Sequence, residues 1–523
     1  MENEELNKNL KFLARSSIIV LIGLIFSSLL SYVFRVIIAR HFGPDTYGLF
    51  SISFMVSGWF VIFSLVGLGE GVIRYISFYR GKNDFLKIKK IFTFALLLTV
   101  LLSLFFGVIM YLSAGELATR IFHNNNLTLF LQIFSITVPL FAISQILLGT
   151  MKAFEKVSEY SFLINIFNPL IRVIALVTLI FLGFNSSSIG FSVVIGYLLL
   201  LISSYYLCRK YAIKYFTNLT NKSSDYEGIS KELLSYSIPL MFAAFVSSLL
   251  GWVDIFSLGY LKNASNVGVY DSALPIATTL TLASFLFVQL FFPIINKEYS
   301  KNNHNLIKDL SKQVGKWIFI LNLPLLFFTI FFPKAMLNIL FGAKFISGGY
   351  ALSILSIGFF FYAQSEIGLN LLGMIKKSKI RFVNILIALV IDAVLNFILI
   401  PKPVIFSLDN SEGIIGAAIA TTIGYTIYSI LTFAQTYHYL GFLPLKRKMF
   451  GVLFSAFVAG GVLLYLRNLI PINFFSLVLL GLLFLLIYFV MILLTKSLDK
   501  NDLLILRTIK NKMSNSFINR TNN

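Results

Sequence analysis

One cysteine, Cys208, and four histidines, His41, His123, His304 and His438, are all the thiol and imidazole ligands that 523 residues could offer a metal. A lone cysteine closes no internal disulfide, and the histidines have none of the spacing that a zinc site requires. Charge is scarce as well: 12% of the residues are charged, against about 25% in a soluble domain. No Gly-x4-Gly-Lys-Ser/Thr loop occurs, so the chain does not energise itself with a nucleoside triphosphate. Gly67-Leu68-Gly69-Glu70-Gly71 has the outline of a dinucleotide fingerprint, but it sits in an apolar run with no strand before it. Small residues there serve close helix packing instead. No nucleophile–base constellation stands out, and the chain reads as a transporter and not as an enzyme. No cofactor is expected.

What the sequence has in abundance is apolar surface. Hydrophobic residues make up 58% of the chain and the mean hydropathy is +0.86, more than a soluble core hides. A membrane-crossing helix needs about 20 mostly apolar residues. Such stretches recur near 16–40, 46–76, 91–113, 127–150, 160–182, 187–208, 233–260, 267–294, 317–333, 348–374, 381–400, 413–438, 449–466 and 472–495. They do not alternate as barrel strands must. The expected fold is all-α, a polytopic membrane protein of about fourteen transmembrane helices.

Basic residues orient it. With the N-terminus in the cytoplasm, the outer segments hold only Arg40, Arg120, Lys262, Lys334, Lys344, Lys402 and Arg467 out of 43 lysines and arginines. The positive-inside rule then places both termini in the cytoplasm. The net charge of +21 is explained by topology and anionic lipid, and no nucleic-acid partner is expected.

The chain also repeats. Tyr47, after Arg40-His41-Phe42-Gly43-Pro44-Asp45-Thr46, and Tyr270, in Val267-Gly268-Val269-Tyr270-Asp271, stand 223 residues apart. Leu148-Gly149-Thr150-Met151-Lys152 and Leu372-Gly373-Met374-Ile375-Lys376 match at an offset of 224. The expected organisation is a six-helix lobe over 1–208, a cytoplasmic linker over 209–232, and a second six-helix lobe over 233–438. Two extra helices and a basic tail fill 439–523. Parallel halves of this kind rock about a central cavity.

Ionisable groups inside spans are costly and are functional candidates by default. They are Arg35, Glu70, Arg74, Arg172, Asp254, Glu366 and Asp392. Glu70 and Arg74 are four residues apart and can pair on one helix face, either as a structural ion pair or at a cavity. At matching depths the first half carries arginines, Arg35 and Arg172, and the second half carries acids, Asp254 and Asp392. Guanidinium suits a phosphate. Buried acids suit a coupling proton or sodium ion, and Asp392 pairing with Arg172 across the cavity is the bland alternative.

Arg35-x4-Arg40-His41-Phe42-Gly43-Pro44-Asp45-Thr46-Tyr47-Gly48, followed by Gly67-Leu68-Gly69 and Arg74, resembles the start of the O-antigen-type polysaccharide-biosynthesis flippases. These lie within the superfamily that also holds multidrug extrusion proteins and lipid II flippases. The resemblance implies a flippase that moves an oligosaccharide on a polyprenyl phosphate or pyrophosphate from the cytoplasmic to the outer leaflet. It implies substrate-binding roles for Arg35, Arg172 and Arg74, and leaves ion coupling to Asp254, Asp392 and Glu366. The expected partners are the lipid-linked glycan, membrane lipid and proteins of glycan assembly. A lipid II-type flippase and a cation-coupled multidrug antiporter remain as alternatives.

Overall fold

The computed structural model describes residues 2–215, 228–377, 379–467, 469, 471, 473–499 and 502, with side chains from residue 22 onwards except at 290. Much of the expected linker, 216–227, lies outside the described residues, as does the tail beyond 502.

The apolar runs form helices because hydrocarbon offers the backbone no other hydrogen-bond partner. In chain order they are α1 (Glu2–Leu65), α2 (Leu68–Gly81), α3 (Phe85–Glu116), α4 (Leu127–Ala153), α5 (Val157–Phe162), α6 (Asn168–Phe181), α7 (Ser187–Tyr211), α8 (Ile229–Leu261) and α9 (Ala264–Thr278). They continue as α10 (Leu280–Ser300), α11 (His304–Phe331), α12 (Pro333–Phe341), α13 (Gly349–Met374), α14 (Lys379–Leu399), α15 (Ile414–Leu440), α16 (Met449–Arg467) and α17 (Phe474–Leu494). One hairpin, β1 (Val404–Ile405) with β2 (Leu408–Asp409), interrupts them. Polar caps punctuate the connections: Asp84 accepts from the Lys87 amide at the start of α3, and Asn473 and Ser476 form a capping box on α17.

Among the described residues thirteen helices are long and apolar enough to cross a membrane. The first of these, Ile22–Gly81, has 60 residues, about 90 Å of helix against a hydrocarbon core of about 30 Å. It breaks at Gly43, whose φ of 82° lies in the left-handed region. Its two arms are separate crossings, and counted so they bring the total to the expected fourteen. The expected eighth span, 267–294, is divided at Thr279 into α9 and α10. The expected ninth begins earlier, at His304. Large apolar side chains point outward, with Leu112 74% and Phe475 81% exposed, as lipid-facing surface requires.

The helices group into two compact units. One comprises 1–275, 340–351 and 385–421, the other 276–339, 352–384 and 422–523. In the first, α4 packs between α3 and α7 and against α1. The second arm of α1 meets α9 at two glycines. A β-carbon on Gly48 would strike the Ala264 carbonyl, and one on Gly268 would strike the Pro44 carbonyl. The crossing is reciprocal: Gly48 faces Ala264, Gly268 faces Pro44 and the two glycines meet, so Pro44 corresponds to Ala264 and Gly48 to Gly268, a register of 220 residues where matching the tyrosines gives 223.

The second unit is built on Phe291, Ile295, Ile318, Ile367 and Leu371, with α16 and α17 paired beside α11. A polar lock ties this helix pair down. Lys316 of α11 is fully buried, with Nζ 2.8 Å from Asp499 Oδ2 and a second ion pair to Asp502. Lys446 and Lys448 reach Asp499 at 2.8 and 2.7 Å, and Trp317 Nε1 donates to Asp502 at 2.7 Å. Burial alone would raise the Asp499 carboxyl, but hydrogen bonds from the three lysines outweigh it and hold it well below the usual carboxylate range.

Two stability predictions follow from this packing. Gly48→Val should lower the melting temperature sharply, since backbone contact leaves no room to relax and overpacking costs about 1–3 kcal/mol or more; an unchanged melt would show that the crossing yields. The lock is a depressed-pKa case. Its contribution is fully present above the unfolded carboxylate value of about 3.9 and is lost as pH falls through the lower folded value. Acid titration of detergent-solubilised protein should show that loss, and Asp499→Asn should be less stable at neutral pH with a flatter acid limb.

Candidate transport site

Two acids that the sequence places in separate spans come together in the first unit. Asp254 of α8 is 3% exposed and Asp392 of α14 is fully buried. Asn396, one turn beyond Asp392 on the same face, bridges them. Its Nδ2 lies 2.8 Å from Asp254 Oδ1 and 3.0 Å from Asp392 Oδ1. Asp254 Oδ2 accepts from Tyr270 OH of α9 at 2.8 Å and from Thr421 Oγ1 of α15 at 2.7 Å. Asp392 Oδ2 and Asn396 Oδ1 have no protein partner among the described residues, and no cationic side chain there forms an ion pair with either acid.

Two adjacent carboxylates in an apolar interior are too costly to stay bare. A proton shared between them, or a small cation held by Asp254, Asp392, Thr421 and the free Asn396 oxygen, removes one charge. No cluster of three or more His, Cys, Asp or Glu exists among the described residues, so a multi-ligand transition-metal site is not what this geometry resembles. Glu366 lies in the other compact unit, within electrostatic reach of Tyr362 and Tyr428.

The three arginines differ in their surroundings. Arg35 is engaged: Nη1 lies 2.5 Å from Asp271 Oδ2 and donates to Tyr47 OH at 2.8 Å. Ser51 Oγ also donates to Asp271, at 2.6 Å. Asp271 lies within an expected span yet is absent from the sequence-derived set of in-span charges. The glycine register would have found it, because it sets Asp271 opposite Ser51.

Arg172 does not pair with Asp392. Its guanidinium lies 5.7 Å from the ring centres of Phe34 and Tyr197, and its buried Nε has no hydrogen-bond partner among the described residues. Gly196 makes room for its side chain. Arg74 is exposed and stacks on Tyr236 at 4.1 Å. The expected Glu70–Arg74 ion pair is not formed, because the aromatic face captures the guanidinium.

A cavity of about 500 Å³ opens among α1, α2, α4, α7 and α8. Phe54, Gly58, Glu70, Gln145, Tyr197 and Trp252 contribute to its wall, and Arg35, Arg74 and Arg172 do not. Arg172 lies 5.7 Å from the centre of the ring of Tyr197, which does line the cavity.

The Arg35–Asp271 pair gives a stability test. Arg35→Ala should cost about 3–5 kcal/mol, since it strands a buried carboxylate. Arg35→Met combined with Asp271→Leu should recover most of that in unfolding measurements; equal losses in both variants would mean that the pair carries no such energy.

Comparison with known proteins agrees with this architecture. An uncharacterised membrane protein of Methanocaldococcus jannaschii is 26% identical over 76% of this chain and 78% of its own length. A putative O-antigen transporter of Shigella flexneri is 22% identical over 75% of this chain and 90% of its own. Among solved structures, the lipid II flippase MurJ in an inward closed conformation shares the fold. It superposes with a TM-score of 0.71 at 17% identity, over 91% of this chain and 98% of that one. Residues 13–299, more than half of the sequence, match the family described as polysaccharide biosynthesis protein, and the chain belongs to that family.

Proposed function

We propose that this multi-pass membrane protein is a flippase. It carries an oligosaccharide linked to a polyprenyl phosphate or pyrophosphate from the cytoplasmic to the outer leaflet by alternating access. The observation that carries this reading is the family membership over residues 13–299. The basic excess on one side of the spans supports a cytoplasmic location for both termini. The reciprocal crossing at Gly48 and Gly268 supports two parallel halves, 1–208 and 233–438, related by a pseudo-two-fold axis. Its partners in the cell are its lipid-linked substrate, the surrounding lipid and the proteins that assemble the glycan.

Arg172 is the candidate for the carrier phosphate, because its buried Nε has no hydrogen-bond partner and its guanidinium no carboxylate partner among the described residues, and a guanidinium at this depth favours an anion. Arg35 takes part only after release from Asp271, and the exposed Arg74 meets the headgroup first. Asp254 and Asp392 take a proton or sodium ion in one conformation and release it in the other, with Glu366 a secondary candidate. A ligand shifts a conformational equilibrium only by its differential affinity for the two states. One charge crossing 100 mV supplies about 2.3 kcal/mol, a bias of about fifty-fold.

Arg172→Ala should abolish glycan export while the protein still inserts; normal export would return Arg172 to a packing role. Coupling is decided in proteoliposomes. Wild-type flipping should respond to an imposed proton or sodium gradient, and Asp392→Asn should flip at a rate indifferent to it. Wild-type flipping that ignores both gradients would remove the acid pair from the mechanism and leave consumption of the flipped product to set direction.

A further inference from the structure

The wall of the 500 Å³ cavity has an unexpected charge. Its lining includes the carboxylate of Glu70 and no lysine or arginine. Two aromatic walls face the space: Trp252 meets Phe54 edge to face at 6.4 Å, and Phe141 and Tyr197 pack at 4.8 Å. Gly58 supplies no β-carbon, and the rim of the Trp252 ring occupies that room. Two lining hydroxyls are consumed by their own helices, Ser57 by the Phe54 carbonyl and Thr137 by that of Phe134. Glu70 and Gln145 are different, since neither side chain hydrogen-bonds to another described residue; Glu70 is exposed and has Tyr160 within electrostatic reach.

We infer that this cavity is a sugar subsite, in which Glu70 and Gln145 take the hydroxyls of a glycan ring whose C–H face packs on Trp252 and Tyr197. The inference rests on the flippase reading, and three parts of the substrate compete for the space. A phosphate is repelled by the Glu70 carboxylate and finds no cation in the wall. A polyprenyl chain would leave Glu70 and Gln145 unpaired against hydrocarbon, at the full cost of desolvating them. A sugar offers donors to the carboxylate, donors and acceptors to the amide, and an apolar face to the rings. A cavity of this size, mostly apolar with a few polar groups, has the usual make-up of a small-molecule site. The acceptor character of Glu70 makes it a specificity-determining residue: it selects a ring with a free hydroxyl or ammonium at that point over one acidified there. The phosphate is then left to Arg172, near Tyr197 but outside the lining.

The test uses the full chain in lipid nanodiscs and two synthetic lipids with the same short polyprenyl pyrophosphate, one bearing a neutral disaccharide and one bare. Wild type should bind the sugar-bearing lipid at least tenfold more tightly. Glu70→Leu, which keeps similar volume and removes both acceptor oxygens, and Trp252→Leu should each erase that difference and leave bare-lipid affinity unchanged. Equal weakening of both lipids, or none, would overturn the subsite, as would equal wild-type affinity for the two, which leaves the flippase reading standing. Wild type that binds neither lipid overturns the flippase reading and the subsite with it. Tetraphenylphosphonium supplies the last arm. If its binding depends on Glu70 while that of the sugar-bearing lipid does not, the cavity is a cation site and the inference fails.

Discussion

Every charge placed in hydrocarbon must find a partner or a function, and that constraint organises this molecule. It explains why Arg35 lies against Asp271 although they stand 236 residues apart in the chain. A related need shows outside the expected spans, where Lys316, fully buried, gathers Asp499 and Asp502 from the segment that follows the last helix. The same rule makes the exceptions informative. Among the described residues, Asp254 and Asp392 share an asparagine and have no counter-charge, and Arg172 has rings for neighbours and a buried Nε without a hydrogen-bond partner.

Paired charges of the first kind join distant parts of the chain without fixing them as a packed apolar core would. An ion pair with hydrogen-bonded supports is strong when formed and expensive to leave half broken, so its two partners either stay together or are rewired together. The Arg35–Asp271 contact lies beside the Gly48–Gly268 crossing, where backbone meets backbone. Small residues let helices approach closely, and a contact without interdigitated side chains offers little resistance to rotation.

The fold was legible in the sequence because its signal is long and redundant: each span is a run of about twenty apolar residues, and an error of a few residues does not change the count. Even the break at Gly43 announces itself as a charged turn, Arg40 to Asp45. Charge pairings were not legible, because each depends on one residue in register with another far along the chain. Matching Tyr47 to Tyr270 gives an offset of 223, whereas the crossing uses 220. Three residues rotate a helix face by most of a turn, enough to hide Asp271 from Arg35. Asp254 and Asp392 were visible as in-span acids, but their meeting through Asn396, Tyr270 and Thr421 was not. Polar neutral residues in a membrane helix are common, and many only bond back to their own turn, as Ser64 does to the Phe60 carbonyl. Glu70 and Arg74 show the opposite error: ideal spacing for an ion pair, overruled by Tyr236 lying closer to the guanidinium.

The proposed substrate has three chemically distinct parts, and the first compact unit presents three distinct environments. An arginine with a free Nε suits the phosphate, an aromatic chamber with an unpaired carboxylate and amide suits the sugar, and outward apolar surface suits the carrier chain. A transporter that bound the whole molecule through its phosphate would not discriminate among glycans on one carrier. One that bound it through the sugar alone would not require the lipid. Separating the two recognitions would let both be demanded at once, since the carboxylate repels the phosphate that the guanidinium attracts. On the coupling proposed for them, Asp254 and Asp392 stand apart from these environments and change charge without touching the cargo, so that an ion would bias the conformational equilibrium while the cargo's own affinity sets which molecule is carried.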